Sequence, residues 1–290
     1  FASEKSAIYL KLVDEWNISN DDFIRTTEER HMERVKLFWQ RSLANRDIYK
    51  KSYQGLYCVG CEMFVTEKDL VNGKCPNHDK EPEVISEENY FFRLSKYRDK
   101  LIELFDNNLE FVYPHSRYNE MRQILGNGLD DVSVSRLREK LPWGVAVPHD
   151  DSQVMYVWFD ALTNYITALG WGSDDDKLFK KYWPADVHIL GKDVNRFHSL
   201  LWPAMLMSVG LAIPKKIAVH EFITLDGKKI SKTVGNTIDL LELTTRYPLE
   251  AIRYFLMREI PFDCDGDFSD EKFREKYNAD LANGLGNLTN

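Results

Sequence analysis

The sequence predicts an α/β fold organised on a parallel sheet, with a small cysteine-bearing insertion before that sheet and helices after it. Three observations lead there. Strand-like and helix-like segments alternate from Val154 to Leu225, the pattern of units that lay their strands side by side in parallel. Two short cysteine turns interrupt the polar stretch between Tyr57 and Pro82. The length of 290 residues exceeds what one compact core usually needs and points to two or three packed modules.

In chain order, Ala7, Ile8, Leu10, Leu12, Val13 and Trp16 give the segment Glu4 to Trp16 helical spacing. Asp22-Phe-Ile-Arg25 reads as a short strand, and Thr27-Glu-Glu-Arg30 supplies capping chemistry for a second helix with Val35, Leu37, Phe38 and Leu43 on its apolar face. Tyr53 to Tyr57 leads into the cysteine turns, and Asn89-Tyr-Phe-Phe-Arg-Leu94 is strand-like beyond them. The alternation follows: a strand over Val154 to Trp158, a helix over Ala161 to Leu169, a strand over Val187 to Leu190, a helix over Val194 to Val209, and a strand over Ile217 to Leu225.

Composition narrows the function classes. Hydrophobic residues at 43% and aromatics at 13% are globular values, and no run has the apolar length that crosses a bilayer, so a soluble chain with no membrane partner is expected. With 38 basic and 46 acidic residues the net charge is −8, so a nucleic acid would have to meet a local patch, and a DNA-coating role is disfavoured. No signal-peptide pattern follows Phe1, and the chain opens inside a helix-like segment without a methionine, so the natural start is expected upstream.

The four cysteines carry the first chemical signal. Cys58-Val-Gly-Cys61 and Cys75-Pro-Asn-His78 are two knuckles, each placing two ligand atoms on one side of a tight turn, and together they complete a tetrahedral zinc shell. A disulfide would leave His78 without a role. Four protein ligands close the site to water and substrate, so the zinc is expected to be structural. Cys264, in Phe262-Asp-Cys-Asp-Gly-Asp267, stands apart as a lone thiol.

A second signal lies at the strand ends, where doubly wound folds bind ligands. Leu190-Gly191-Lys192-Asp193 closes a strand and opens a helix: Gly191 permits close backbone approach, and Asp193 either caps the helix or accepts hydrogen bonds from ribose hydroxyls. Val194, His198 and Trp202 share one helical face, and Trp158, Ala161 and Tyr165 share another. Where two such faces meet they form an apolar slot with a histidine and a tyrosine hydroxyl in its wall, suited to an uncharged, unbranched side chain, although ordinary core uses the same residues. Finally, Lys229-Ile-Ser231-Lys232-Thr follows a strand and a turn at Asp226-Gly227, so two ammonium groups can reach one polyphosphate such as that of ATP. A Lys/Ser-rich surface turn is the plain alternative.

Together these segments resemble the methionyl-tRNA synthetase family of class I aminoacyl-tRNA synthetases, over essentially the whole chain. Lys229-Ile-Ser-Lys-Thr233 is similar to the class I K-M-S-K-S loop, with isoleucine for methionine and threonine for the last serine. Val157-Trp-Phe-Asp-Ala161 with Tyr165, and Gly191-Lys-Asp193 with Phe197-His198 and Leu201-Trp-Pro203, are similar to the segments that build the family's methionine pocket and adenylate site. The cysteine knuckles resemble its connective-insertion zinc site, and Ala279-Asp-Leu-Ala-Asn-Gly-Leu-Gly-Asn-Leu288 resembles the start of its anticodon-binding helices.

The resemblance implies a Rossmann-type parallel sheet, incomplete at its N-terminal half. Residues 1–48 would end its first half, 49–142 form the connective insertion with the zinc knuckle, and 143–232 supply the second half. Residues 233–272 would hold the end of the lysine loop and a stem-contact region, and 273–290 the start of a helical domain. It further implies that Trp158, Ala161, Leu162, Tyr165, Val194, His198 and Trp202 surround methionine, that Gly191, Asp193, Lys229 and Lys232 bind ATP with its Mg²⁺, and that Lys229, Ser231, Lys232 and Arg136 act in catalysis. Zinc would sit on Cys58, Cys61, Cys75 and His78. The implied activity is ATP-dependent formation of methionyl-adenylate and transfer of methionine to tRNA(Met) in the cytoplasm or an organelle.

One family element is missing. The H-I-G-H signature would precede Phe1, and none of the seven histidines stands in such a context; His31, His115, His149, His188 and His220 read as structural or surface residues. These 290 residues alone are therefore expected to be poorly active or inactive. Two alternatives remain at this stage: a class I synthetase for another amino acid, which the short zinc insertion argues against, and a non-enzymatic zinc ribbon that binds RNA or protein, which leaves the lysine loop without a purpose.

Overall fold

A computed structural model describes residues 2–61, 63–76, 79–230 and 238–289. Helix α1 (Ala2–Glu15) forms where its spacing predicts, yet buries none of its residues. Asp22 to Arg25 is not a strand: the Arg25 N–H donates to Glu28 Oε1, which turns the chain into α2 (Glu29–Ala44). Val35, Phe38 and Trp39 of α2 are fully buried, whereas Leu43 stays exposed.

Strands β1 (Ile48–Cys58), β2 (Met63–Val65) and β3 (Glu83–Phe92) pair antiparallel, with Tyr49 opposite Phe91 and Cys58 opposite Met63. Next come α3 (Arg98–Asn107), β4 (Val112–Tyr113), α4 (His115–Asn127) and β5 (Val132–Ser133), which completes the order β2-β1-β3-β5. Strands β6 (Ser135–Leu137), β7 (Ala146–Val147) and β8 (Asp150–Met155) form a second antiparallel sheet with β8 in the middle.

That placement corrects one expectation. The run Val154 to Trp158 ends a central antiparallel strand and does not belong to the parallel sheet. A continuous apolar run reports burial on both faces, which a central strand has whatever the direction of its neighbours. Val154, Met155 and Tyr156 are indeed buried, and the chain turns helical at Val157, so Trp158 stands on α5 (Val157–Leu162). The helix expected to Leu169 breaks at Thr163, whose hydroxyl donates to the Asp160 carbonyl at 2.7 Å before α6 (Asn164–Thr167) begins.

After α7 (Lys177–Tyr182), β9 (His188–Gly191) enters the parallel sheet. A helical segment then leads back to β10 (Ile217–His220), and the sheet has the order β4-β10-β9, with both pairings parallel. The helix predicted over Val194 to Val209 is in three pieces: a 3-10 turn at Lys192–Val194, a π-helical stretch at Phe197–Leu201, and α8 (Trp202–Ser208). Pro203 offers no N–H to the carbonyl one turn back and its ring crowds that group, so the helix widens just before it.

The last predicted strand also divides. Strand β10 stops at His220, and β11 (Ile223–Leu225) joins a separate sheet with β12 (Lys228–Lys229) and, further along, β13 (Gly266–Phe268). The break falls at Glu221 and Phe222, whose N–H groups donate to the Phe262 carbonyl and to Asp265 Oδ1. Helices α9 (Leu240–Arg246), α10 (Leu249–Glu259) and α11 (Asp270–Lys276) surround this sheet, and a π-helical stretch at Tyr277–Gly286 follows.

The main core gathers Phe38, Trp39, Phe92, Phe105, Phe159 and Trp202, so the parallel sheet, α2 and the helices after β3 share one interior. Phe255, Phe268 and Phe273 form a second core, and Cys58, Val65 and Cys75 a third. Among the described residues no helix is long and apolar enough to cross a membrane.

Candidate active site

The two predicted aromatic faces meet beside His188, the first residue of β9, where α5, α6 and the π-helical stretch come together. Trp158 stacks on Phe197 with centroids 4.3 Å apart, and its ring meets His198 edge-on at 6.2 Å. Tyr165 donates its hydroxyl to His198 Nε2 at 2.8 Å and packs beside Trp202 at 6.2 Å. Val194 contributes its carbonyl, which lies 3.0 Å from His198 Nδ1. A carbonyl only accepts, so Nδ1 carries the proton and Nε2 keeps the lone pair that takes the tyrosine hydrogen bond.

Burial keeps this wall uncharged. It pushes the Tyr165 hydroxyl up to about 12 and holds His198 below the usual imidazole range. His188 lies beneath Tyr165 at a centroid distance of 4.0 Å, and burial, with His198 nearby, brings it down to about 3. At neutral pH the cluster therefore holds two neutral imidazoles and a phenol, the uncharged surroundings that an apolar or weakly polar side chain needs.

The predicted slot residues do not all play the same part. Trp158, Tyr165, His198 and Trp202 come together through rings and a hydrogen bond. Leu162 is 1% exposed in the main core, Val194 packs against that core, and Ala161 is half-buried. Phe197 and His188 complete the cluster and are absent from the sequence-derived set; the adjacency of Phe197 to His198 was the available signal, and His188 had none.

At the end of β9, Gly191 has Asp193 folded over it: a Cβ there would meet Asp193 Oδ1 at 2.9 Å and His220 Cε1 at 3.6 Å. Asp193 is exposed, and among the described residues no hydrogen bond occupies its carboxylate. Both features suit a turn that receives a polar ligand group against its backbone. Arg136 lies elsewhere: its Nη1 donates to the Ser135 carbonyl at 2.7 Å and to Ser133 Oγ at 3.0 Å, and the guanidinium lies over Tyr156 at 4.4 Å and Tyr57 at 5.2 Å. It joins the start of α5 to the strand that carries Cys58. Of the lysine loop, Lys229 ends β12 opposite Thr224, and Ser231 and Lys232 lie outside the described residues.

The knuckle can be tested for fit to a metal. Cys58, Cys61 and Cys75 present sulfurs within 4.8 Å of one another, with Cys61 Sγ and Cys75 Sγ 3.5 Å apart. That separation is far beyond a disulfide bond of about 2.05 Å and suits thiolates sharing one ion with metal–sulfur bonds of about 2.3 Å. The Cys61 N–H points at Cys58 Sγ at 3.4 Å, which favours the thiolate. The three cysteines can thus hold a metal ion; His78, the fourth predicted ligand, lies outside the described residues.

Known proteins share this chain's sequence and fold over nearly all its length. The profile of the family described as tRNA synthetases class I (M) matches residues 1–81 and 68–290. Methionine–tRNA ligase of Caldanaerobacter subterraneus subsp. tengcongensis is 51% identical over 272 residues, covering 94% of this chain and 42% of the relative. The Thermotoga maritima methionine–tRNA ligase is 48% identical over 292 residues, covering 99% of this chain and 46% of the relative. Among solved structures, Mycobacterium tuberculosis methionyl-tRNA synthetase in complex with methionyl-adenylate superposes with a TM-score of 0.93 at 44% identity, over 99% of this chain and 57% of that one. The free form of the same enzyme gives 0.85 at 42% identity, over 99% and 56%. The chain thus spans less than half the length of these curated relatives. By the family match over its length and by the shared α/β fold, the chain belongs to the class I (M) tRNA synthetases.

Proposed function

We propose that this chain supplies the amino-acid pocket and part of the nucleotide site of a methionine–tRNA ligase. The observation that carries the reading is the hydrogen bond from Tyr165 to His198 inside the aromatic slot, 2.8 Å long and next to the Gly191–Asp193 turn. The slot takes the unbranched methionine side chain against Trp158, Ala161, Leu162, Tyr165, Val194, His198 and Trp202. Neutral imidazoles suit an uncharged thioether and reject a charged side chain, whose burial would cost several kcal/mol.

In the first step the methionine carboxylate attacks the α-phosphorus of ATP; a carboxyl oxygen–phosphorus bond forms and pyrophosphate leaves with the electron pair. In the second step a ribose hydroxyl of the terminal adenosine of tRNA(Met) attacks the methionyl carbonyl, loses its proton, and AMP leaves. Neither step needs a side-chain nucleophile, so catalysis is positioning and charge stabilisation. Gly191 and Asp193 hold the adenosine ribose. Lys229 and Lys232, with Ser231, stabilise the departing pyrophosphate, whose oxygens also bind Mg²⁺. Arg136, expected in the catalytic set, serves as a positioning residue through its hold on Tyr156 at the entry to α5.

Zinc is the metal we assign to Cys58, Cys61, Cys75 and His78; when bound it cross-links the turn after β1 and does no chemistry. The domain limits at residues 48, 142, 232 and 272 belong to the same reading, as does the cytoplasm as the site of tRNA charging. Methionine-dependent exchange of pyrophosphate into ATP tests it. The chain extended to its relatives' length catalyses this exchange with methionine, whereas these 290 residues alone bind methionine and exchange poorly. Exchange driven equally by leucine would refute the substrate, and none in the extended protein would refute the activity.

A further inference from the structure

The sequence around Cys264 has no part in the function described so far, yet two of its three aspartates, Asp265 and Asp267, hold the hairpin that carries Lys229. Glu221, 5% exposed, sits where the chain leaves β10. Its carboxylate lies between Arg117 Nε of α4 at 2.6 Å and Lys192 Nζ at 2.7 Å. Lys192 Nζ also reaches Asp265 Oδ1 at 2.7 Å and rests over the Phe222 ring at 4.4 Å. The same Asp265 oxygen accepts the Phe222 N–H at 2.9 Å, and the Gly266 N–H returns to the Phe222 carbonyl. At the far end of the hairpin Asp267 Oδ1 accepts from Thr224 Oγ1 at 2.6 Å and from the Gly227 N–H at 2.7 Å, while Lys272 Nζ holds Oδ2 at 2.8 Å.

Position gives this clasp its meaning. Lys192 stands between Gly191 and Asp193, so its cation joins the backbone of one candidate ligand site to the root of the hairpin that presents the other. The Lys192–Glu221 pair is sheltered, at 21% and 5% side-chain exposure, and is screened less than an open surface pair, while Asp265, 47% exposed, adds its hold through the Phe222 N–H as well as through Lys192. We propose that Lys192, Glu221, Asp265 and Asp267 are positioning residues for adenylate formation: they set the separation between the Gly191–Asp193 turn and the β11–β12 hairpin that leads into the lysine loop. This rests on the reading given under Proposed function. None of Glu221, Asp265 or Asp267 belongs to the substrate-touching set; they act through Lys192 and the hairpin backbone. A misplacement of about 1 Å between reacting groups costs on the order of 100-fold in rate, which sets the scale of the effect.

The test uses the protein at its relatives' full length, with kcat and KM for ATP and for methionine measured by pyrophosphate exchange and backbone hydrogen exchange followed over residues 223–229. Lys192→Met and Asp265→Asn each lower kcat by about 10- to 100-fold. Both leave KM for methionine within about twofold, because the pocket is untouched. The double variant loses little more than either single one, and Lys192→Arg recovers most of the rate. Asp267→Asn speeds exchange at Gly227 and lowers kcat in the same direction. Losses that multiply in the double variant, or faster hairpin exchange with kcat unchanged, would overturn the proposal. If the unsubstituted protein shows no methionine-dependent exchange, the functional reading fails instead, and hydrogen exchange still reports whether the clasp holds the hairpin.

Discussion

Replacing Tyr165 with phenylalanine tests the slot at a single atom. The ring and its contacts with His188 at 4.0 Å and Trp202 at 6.2 Å remain, and only the hydroxyl that donates to His198 Nε2 at 2.8 Å is removed. His198 is 4% exposed and its Nδ1 is committed to the Val194 carbonyl, so Nε2 becomes a buried acceptor without a donor. Such an orphaned group costs about 1–3 kcal/mol, which corresponds to roughly 5- to 150-fold in the folding equilibrium. Urea unfolding followed by tryptophan fluorescence reads that loss as a lower midpoint at unchanged slope. Methionine titrated by calorimetry into Tyr165→Phe binds more weakly by up to about tenfold, because the imidazole facing the side chain is no longer held. A midpoint and a methionine affinity both equal to the unsubstituted values would refute the reasoning.

Other expectations follow from the same geometry. In the full-length protein Lys232→Ala lowers the rate of pyrophosphate exchange by more than it lowers methionine affinity; equal losses in both would contradict a role at the departing pyrophosphate. Metal analysis finds about one zinc per chain, and a chelator or Cys75→Ser raises hydrogen exchange in β1 and β2 near Cys58 while leaving β9 and β10 protected; a metal-free chain with unchanged exchange would contradict the knuckle. Acid weakens the hairpin sheet. Hydrogen bonds from Lys272 and Thr224 hold the Asp267 carboxyl down at about 2, and Lys192 holds Asp265 below its usual range. The unfolded chain therefore takes up these protons first, so their stabilisation is complete above about pH 4 and is lost as the pH falls toward 2. Unfolding midpoints between pH 5 and 2 should drop less steeply for Asp267→Asn, and parallel curves would count against the assignment.

What the sequence made legible depended on how local each signal was. The strand expected at 187–190, found at 188–191, and the first part of that expected at 217–225, found at 217–220, were readable because short apolar runs bounded by turn residues announce themselves within a few positions. Val112–Tyr113 was not, since two residues carry no periodicity and its partner Ile217 lies far along the chain. Val194, His198 and Trp202 could be assigned to one face from their spacing; His198 and Trp202 still meet Tyr165 across the π-helical widening before Pro203, whereas the Val194 side chain packs against the main core. His188 escaped notice because a strand histidine beside two hydrophobic residues reads as plain structure, and only the fold brings Tyr165 over it. The clasp of Lys192, Glu221 and Asp265 was invisible for the same reason: each charge is ordinary until three distant segments converge.

The account stands on the aromatic slot as a methionine site, and calorimetric titration of this chain with methionine and, separately, with leucine tests it most directly. Saturable binding of methionine at one site, abolished by Trp202→Ala and absent with leucine, is the result predicted. Equal binding of the two amino acids, or methionine binding that survives loss of the Trp202 ring, would contradict it.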